Sequence, residues 1–491
     1  MRAPSLLLSF ALLPAVVVGG PVVSTSAPDP HPVAPVVQEV ALTPSAITQA
    51  GTGPRTLLLT SEQATRPYST LGVTWRPDPA VGDVVVQVRT RTEGQWSGWT
   101  ALDADEPNVV SETADEASAA LRAGTEPLYA GDSDGVQVRV DVLSGASPTD
   151  LVLALVDPGE SAADAPVDPT LGSSTATAAA ARPAIRTRAE WGADESIRRG
   201  SPSYNATIEA VTIHHTASSN DYSPADVPGI IRGFYAYHVR SLGWSDIGYN
   251  VLVDKFGTAW EGRAGGVDRP VIGAHAGGFN TDTAGVSMIG TYGTFEPPPA
   301  LKETVAQVTA WKLGMYGRDP KGTVTLTSRG STRYSSGTRV TLPRIFGHRD
   351  VSSTACPGDR GYANLPPLRD RAAALNAGTP APAPAPPPAP APKPSPDPFG
   401  KLESAVPSSA SVRVQGWAID PDASTFTTVV VTADGTRIGA AVAKDSRPDV
   451  AAAHPPYSPN HGYAASFAVP SGRREVCVTA IDQNEGNDVQ L

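Results

Sequence analysis

The stretch AVTIHHT, residues 210–216, is a run of β-branched residues that ends in two adjacent histidines. Its composition predicts a strand, and the polar residues at its end make that end a candidate functional site. Because neighbouring side chains on a strand point to opposite faces, only one of His214 and His215 can comfortably reach a ligand on one face. The spacing alone leaves open which of the two does so.

Helical and strand patterns alternate after this run. The segment SPADVPGIIRGFYAYHVRSLGW (223–244) opens with a Ser-Pro pair suited to a helix start, and its apolar residues fall on one face. The segment YNVLVDKFGTAWEG (249–262) predicts a hairpin that turns at Phe256-Gly257. Further helices are predicted at LKETVAQVTAWKLGMYG (301–317) and LPPLRDRAAAL (365–375). The region 184–376 is therefore expected to mix strands and helices, which is the α/β class.

A second histidine and a cysteine lie close together near the end of this region. The stretch FGHRDVSSTACPG, residues 346–358, contains His348 and one of the chain's two cysteines, Cys356. Pro357-Gly358 turns the chain away after the cysteine. Zinc binds imidazole nitrogen and thiolate sulfur in a tetrahedral shell, and a catalytic site leaves one position for water. With one histidine from the strand end, these residues are candidates for a three-ligand zinc site. The alternative is a disulfide between Cys356 and Cys477, which would leave the histidines unexplained.

Alternating runs on both sides of the central region predict two further β domains. The first region includes VVVQVRT (84–90), GVQVRVDV (135–142) and LVLALV (151–156), separated by Gly, Pro and Asp. Such short, punctuated strands are typical of a β-sandwich, which we expect over residues 50–160. The same pattern over a shorter length predicts a smaller C-terminal β-sandwich at 400–491.

The segments between and before these domains have distinctive compositions. Small polar residues predict a flexible linker at 161–183, and a Pro-Ala tract predicts a stiff spacer at 377–399. A short basic head followed by an apolar run predicts a secretory signal peptide over residues 1–27, with an uncleaved N-terminal anchor as the alternative. The mature chain is therefore expected to be secreted or associated with the cell envelope, without stable insertion in a membrane.

The charge balance disfavours nucleic acid as a partner. The chain has 38 Lys and Arg against 49 Asp and Glu, a net charge of −11, and no basic tail. Residues 316–349 hold seven Lys or Arg against one Asp, which suggests contact with an anionic wall polymer, although scattered charges on a solvated hairpin are the simpler alternative. Trp75, Trp96 and Trp99 pose a similar choice between a sugar-stacking platform and core packing.

Four stretches of the central region occur in a fixed order. They are VTIHHTAS, GWSDIGYNVLVDKFGTAWEGR, GAHAGGFNTDTAGVSMIGTY and GHRDVSSTACPG. Together they resemble the zinc-dependent N-acetylmuramoyl-L-alanine amidases of the type-2 amidase and peptidoglycan recognition protein family. The resemblance covers roughly residues 184–376 and implies a central mixed β-sheet flanked by helices, with a groove for the peptidoglycan stem peptide. It also implies His214, His348 and Cys356 as ligands of Zn2+.

The resemblance also implies an activity and two catalytic residues. These are Tyr249, in DIGYN, and Thr354, two positions before Cys356. Some relatives carry Lys at the second position, so a role that needs a positive charge there is not expected. The implied reaction is hydrolysis of the amide between N-acetylmuramic acid and L-alanine, with peptidoglycan muramyl peptides as the partner. The alternative is a non-catalytic protein that only binds peptidoglycan, and such members typically lack the metal cysteine.

Three further residues are candidates for substrate binding. His275 and Asn280 belong to a loop that includes Gly277-Gly278, where the backbone can approach a ligand closely. His215 is the third candidate, although strand alternation favours local packing on the opposite sheet face. Of the remaining polar groups, His238 is expected to be a core histidine, and Glu261 to anchor the hairpin rather than act as a base.

Overall fold

The chain is described by a computed structural model. The described residues are 31–43, 55–104, 121–161, 164, 182–377, 397–421, 423, 426–455, 457–469, 474–482 and 488–491. The predicted signal at 1–27 and most of the two predicted linkers lie outside these ranges. Within them, no helix combines the length and apolar character needed to span a bilayer.

The first unit is an antiparallel β domain, and the described residues form nine strands. These are β1 (Val36–Leu42), β2 (Arg55–Leu59), β3 (Gln63–Trp75), β4 (Val84–Thr92), β5 (Gln95–Trp96), β6 (Thr100–Leu102), β7 (Ala123–Gly124), β8 (Leu128–Val142) and β9 (Leu151–Asp157). Strand β3 pairs with β7, β8 and β9, and strand β8 pairs with β2, β3 and β4, so the two long strands join the whole sheet. The N-terminal β-sandwich is confirmed, and β1 lies before the predicted boundary at residue 50.

The three tryptophans of this unit differ in environment. Trp75 is part of the apolar core formed by the strands, which excludes it from any sugar-stacking platform. Trp96 and Trp99 are half-buried, and the guanidinium of Arg89 lies 5.1 and 5.5 Å from their ring centroids. Because the Arg89 guanidinium already lies over both rings, local packing on the sheet explains the positions of Trp96 and Trp99.

The central unit contains eight strands and four α-helices among the described residues. The strands are β10 (Ile185–Arg186), β11 (Ala210–His215), β12 (Val251–Val253), β13 (Ala259–Glu261), β14 (Thr283–Met288), β15 (Thr323–Thr327), β16 (Arg339–Pro343) and β17 (Ile345–Gly347). The helices are α1 (Val227–Ala236), α2 (Pro299–Gly314), α3 (Asp359–Ala363) and α4 (Leu365–Asn376).

Six of these strands form one mixed sheet in the order β10-β13-β12-β14-β11-β17. Only β12 and β13 pair antiparallel, as the predicted hairpin requires, while β12, β14, β11 and β17 run parallel. Helices α2 and α4 cover one face of the sheet and α1 covers the other. The predicted α/β fold is therefore confirmed, and β11 lies inside the sheet, buried on both faces.

The first helix starts later than the sequence predicts. Instead of a helix from Ser223-Pro224, the chain makes a turn in which the Ser223 N–H donates to the Asp226 carboxylate at 2.6 Å. Helix α1 then begins at Val227, and Pro228 sits in its first turn. The start predicted from Ser223-Pro224 was wrong by one turn. Asp226 and Pro228 suit the start of a helix equally well, and the structure uses them.

The C-terminal unit is a smaller β-sandwich, as predicted. Its described elements are β18 (Phe399–Pro407), β19 (Ser411–Ile419), β20 (Thr428–Ala433), β21 (Thr436–Val442), β22 (Asp445–Ser446), α5 (Pro448–Ala453), β23 (Asn460–Ala468), β24 (Val476–Ala480) and β25 (Val489–Gln490). They form two four-stranded sheets, β18-β19-β23-β22 and β21-β20-β24-β25, around one core.

The three units pack against one another. Ala154 and Val156 of β9 share an apolar cluster with Tyr237, Leu242 and Trp244 of the segment after α1. The C-terminal unit contacts both of the others. Its polar links include the pairs Lys444–Asp83, Arg437–Asp141 (3.3 Å) and His461–Asp359 (3.3 Å).

The basic stretch at 316–349 is partly neutralised within the fold. Arg318 and Arg344 both pair with Glu209. Lys321 and Arg349 pair with Asp370 and Asp359. At least four of the seven cations therefore take part in ion pairs, which reduces the charge available to an anionic polymer.

Candidate functional site

Two neighbouring parallel strands bring the first two metal-ligand candidates together. The register pairs Val211 with Ile345 and Ile213 with Gly347. His214 and His348 are therefore the next residues after an aligned pair, one on each of the two strand segments. Both therefore leave the same edge of the sheet, at the carboxyl ends of β11 and β17. Their ring centroids lie 4.6 Å apart.

The loop after β17 returns the cysteine to the same point. Residues 348–350 form a short 3₁₀ turn, and the Arg349 N–H then donates to the Cys356 carbonyl at 3.0 Å. The guanidinium of Arg349 donates to the Ala355 carbonyl and pairs with Asp359 at 2.7 Å, which ties the two ends of the loop together. As a result, Cys356 Sγ lies 3.7 Å from His214 Nδ1.

These three side chains have the chemistry of a zinc site. One donor atom each from His214, His348 and Cys356 lies within 4.8 Å of the others, and all three residues are buried. In a tetrahedral shell with Zn–N of about 2.0 Å and Zn–S of about 2.3 Å, donors stand roughly 3.5 Å apart, close to the observed separation of Sγ and Nδ1. Neither Cys356 nor Cys477 is in a disulfide, so the alternative bridge between them does not form.

Burial also sets the protonation state of His214. Burial, followed by the nearby imidazoles of His348 and His275, holds the pKa of His214 well below its usual value. The imidazole of His214 is therefore neutral at physiological pH, the form that binds a metal ion.

The structure places His275 behind a metal-ligand candidate. Its Nδ1 lies 3.1 Å from His214 Nε2, the nitrogen on the far side of the ring from Cys356. Asn280 holds the backbone of this loop, because its side-chain oxygen accepts the N–H groups of His275 and Ala276 at 2.8 and 2.9 Å. Burial lowers the pKa of His275 to about 3, so the ring is neutral. In this arrangement, two of the three substrate-binding candidates support the ring of His214, His275 directly and Asn280 through the backbone of its loop.

The other polar candidates are each held by contacts of their own, and the backbone N–H of His215 also donates to Cys356 Sγ at 3.4 Å. His215 is buried, and its Nδ1 accepts the Tyr292 N–H at 3.2 Å. His238 stacks on Trp244 with ring centroids 4.5 Å apart, as expected of a core histidine. Glu261 ends β13, where its carbonyl accepts the Trp191 indole N–H at 2.7 Å, consistent with a hairpin anchor.

Two hydroxyls border the donor atoms. The Tyr249 ring centroid lies 5.4 Å from that of His214. The Thr354 hydroxyl oxygen accepts the Cys356 N–H at 2.9 Å, which places it directly beside the cysteine. Both side chains, implied as catalytic, are thus adjacent to the three metal-ligand candidates.

Each hydroxyl donates to a carboxylate of the N-terminal unit. Tyr249 donates to Glu126 Oε2 at 3.0 Å, and Thr354 donates to Asp103 Oδ2 at 3.1 Å. Burial raises the pKa of the Asp103 carboxyl, and the hydrogen bond from Thr354 opposes that rise. Sequence reasoning missed both acids, because each is separated from its partner by more than a hundred positions and belongs to no motif of the central region.

Two family profiles match the chain. The family described as N-acetylmuramoyl-L-alanine amidase matches residues 204–359. The family described as Rv3811 N-terminal galactose-binding domain-like matches residues 25–170. The first match contains all three metal-ligand candidates, and the second covers the strands of the N-terminal unit.

Several named proteins are similar to the central unit. Peptidoglycan-recognition protein SC2 of Drosophila simulans is 35% identical over 174 residues, which are 35% of this chain and 80% of the relative. Peptidoglycan recognition protein 1 of Bos taurus is 32% identical over 179 residues, which are 36% of this chain and 80% of the relative. The solved structure of Drosophila PGRP-LB is 27% identical and covers 37% of this chain and 92% of that chain, with a TM-score of 0.30.

Proposed function

Because this chain belongs to the family of type-2 N-acetylmuramoyl-L-alanine amidases and peptidoglycan-recognition proteins, we propose that it is a zinc-dependent peptidoglycan hydrolase. The reaction is cleavage of the amide bond between N-acetylmuramic acid and the L-alanine of the stem peptide. The observation that carries this proposal is the convergence of His214, His348 and Cys356, whose donor atoms lie within 4.8 Å of one another.

The donor set favours zinc over other common metals. Neutral imidazole and thiolate ligands suit Zn2+, and three protein ligands leave one position for water. His214, His348 and Cys356 would hold the zinc ion, which would supply a water of lowered pKa and a Lewis acid for the scissile carbonyl. His275 holds the second nitrogen of His214 and so fixes the direction of its ring, as partners of metal-bound histidines commonly do.

Tyr249 and Thr354 are the groups of the chain that act on the reacting amide. Each has one hydroxyl proton to donate, either to the attacking oxygen or to the carbonyl oxygen as negative charge develops on it. Their positions beside His214 and Cys356 support this role. Both hydroxyls must leave their present carboxylate acceptors before they can donate to substrate.

The substrate class and location follow from the same proposal. The named relatives are peptidoglycan-recognition proteins, which supports muramyl peptides of peptidoglycan as the partner. The apolar run near the start of the chain supports secretion, so that the protein meets its substrate in the cell envelope.

The alternative function is recognition of peptidoglycan without hydrolysis, and the names of the relatives favour it. The presence of the thiolate candidate Cys356 beside two imidazoles favours hydrolysis, since binding alone needs no metal ligands. Both functions use the same central unit, so the test must detect bond cleavage and not only binding.

The test is to incubate the full chain with purified muropeptides, with and without a chelator, and to detect free stem peptide by mass spectrometry. Release should be lost with the chelator and should return when zinc is added. Cys356→Ser should abolish release, whereas Cys477→Ser, at the second cysteine of the chain, should not change it. Release that persists in the Cys356→Ser chain, or binding without release in any condition, would contradict the proposal.

A further inference from the structure

Two carboxylates of the N-terminal unit reach the candidate site together. Asp103 directly follows β6, and Glu126 lies between β7 and β8. The Glu126 N–H donates to the Asp103 carbonyl at 2.7 Å, so the two residues form one edge of that unit. From this edge, Asp103 accepts the hydroxyl proton of Thr354 and Glu126 accepts that of Tyr249, at 3.1 and 3.0 Å.

These contacts occupy the two groups that the proposed reaction needs. A hydroxyl has a single proton, so Tyr249 and Thr354 cannot donate to a substrate oxygen while they donate to carboxylates. A substrate oxygen must therefore displace an acceptor that is already bound at both positions before the reaction starts.

The burial of the site agrees with this arrangement. The three metal-ligand candidates and the two hydroxyl residues are each 5% exposed or less. A muramyl peptide attached to a glycan strand needs an open groove to bring its amide to these atoms. The structure thus shows a covered site rather than one ready to receive a polymer.

The edge is fastened to the central unit next to the site. Tyr237, which follows α1, donates its hydroxyl to the Thr125 carbonyl at 2.9 Å, directly before Glu126. The shared apolar cluster of Tyr237, Leu242 and β9 keeps the whole N-terminal unit docked. Asp103 and Glu126 themselves lie in connecting segments outside the strands of the sheet.

We propose that the N-terminal unit is an intramolecular inhibitor of the amidase site, acting through Asp103 and Glu126. The inference rests on the proposed function, because it concerns when the hydroxyls of Tyr249 and Thr354 become available to substrate. The covered form is the resting state of the chain. Displacement of the Asp103–Glu126 edge frees both hydroxyls and opens the site to the stem peptide.

The first test compares hydrolysis of muropeptides by zinc-loaded full-length chains. Asp103→Ala/Glu126→Ala removes both acceptors and should raise stem-peptide release at least tenfold, a change of about 1.4 kcal/mol in the barrier. Asp103→Asn/Glu126→Gln keeps neutral acceptors of the same shape and should give a smaller rise. Asp134→Ala, which removes a carboxylate paired with Arg91 elsewhere on the same unit, is the matched control and should match the unchanged chain.

The second test measures access to the site without substrate or metal. Metal-free chains are treated with iodoacetamide, and alkylation of each cysteine is followed by peptide mass spectrometry. Cys356 should react several-fold faster in Asp103→Ala/Glu126→Ala than in the unchanged chain. Cys477, on β24 of the C-terminal unit, is the internal control and should react at the same rate in both.

The outcomes separate this inference from the proposed function. If no chain releases stem peptide but Cys356 still becomes more reactive in the alanine pair, the hydrolase proposal fails. The result would still support the part of the inference in which Asp103 and Glu126 cover the site. If the unchanged chain is active and the alanine pair releases no more peptide, the inhibitor proposal is overturned. A fall in release would show that the two carboxylates assist the reaction, and it would overturn the inhibitor proposal as well. An unchanged alkylation rate at Cys356 would also overturn the inhibitor proposal.

Discussion

The junction between the N-terminal and central units depends on one buried guanidinium, which makes Arg232→Ala a sensitive probe of how the units are joined. Arg232 is 1% exposed on α1. Its Nε donates to the Pro158 carbonyl at 3.0 Å, and its two terminal nitrogens bind the Asp164 carboxylate at 2.9 and 2.7 Å. The same nitrogens donate to the carbonyls of Trp191 and Gly159 at 2.9 and 2.8 Å. One side chain therefore satisfies acceptors from both units.

The expected loss follows from what the alanine would leave behind. Removing one partner of a buried ion pair typically costs about 3–5 kcal/mol, because the other charge and its neighbouring acceptors stay buried without a donor. The side chain of Asp164 is 18% exposed, so water can restore part of its solvation. We therefore expect Arg232→Ala to lower the free energy of unfolding by about 3 kcal/mol, the lower end of that range.

The assay is urea denaturation at pH 7 of the unchanged chain, Arg232→Ala, Asp164→Ala and the double variant. The double-mutant cycle should give a coupling of about 2 kcal/mol between the two residues. Lys302→Ala, which removes the exposed pair with Glu296, is the control and should change the free energy of unfolding by about 1 kcal/mol or less. An effect of Arg232→Ala no larger than that of this control would refute the reasoning.

Three further predictions concern the site and its surroundings. His275→Ala should weaken zinc binding by about 10- to 100-fold, measured by competition with a chelator, because the ring of His214 loses its supporting partner. Burial lowers the pKa of His238 to about 3 while an unfolded histidine titrates near 6.5, so the unfolded chain binds the extra proton between these values and stability falls as the pH decreases. Between about pH 7 and pH 5, His238 should account for a loss of about 2 kcal/mol, and His238→Phe should remove that part of the pH dependence of unfolding. Gly358→Ala should destabilise the chain by more than about 2 kcal/mol, because a Cβ there meets backbone atoms at 2.3 Å at a φ of +81°, whereas Gly337→Ala, at a φ of +86° in open space, should cost only about 1 kcal/mol.

The central fold could be predicted well because its signals are local. The run at 210–216 is buried on both faces, and an uninterrupted β-branched stretch is typical of such a strand. The hairpin at 251–261 has its turn at a glycine with positive φ, which the sequence marked. Helix α2 begins at Pro299, two residues before the predicted start at Leu301, because proline is also well suited to the first turn of a helix.

The pairing of distant elements was less accessible to sequence reasoning. Alternation shows that one of His214 and His215 faces the cysteine, but the register of β11 against β17 is what aligns His214 with His348. The resemblance to the amidase family implied His214 as the ligand, which the pattern of this chain alone did not. The roles of His275 and Asn280 also depended on packing, because a loop rich in glycine looks the same whether it contacts a substrate or supports a neighbouring ring.

The carboxylates at the site show where such reasoning stops. Asp103 and Glu126 belong to a β-sandwich whose strand pattern explains its own core but carries no information about which edge faces the central unit. Their approach to Thr354 and Tyr249 depends on how two separately folded units dock, which is set by buried groups such as Arg232 and Tyr237 rather than by a motif. The match to the amidase family spans the three donors and the two hydroxyls, but it does not include the unit that contacts them. The contacts from the other unit make availability itself a property of the whole chain, so the activity of the central unit alone does not define that of the intact protein.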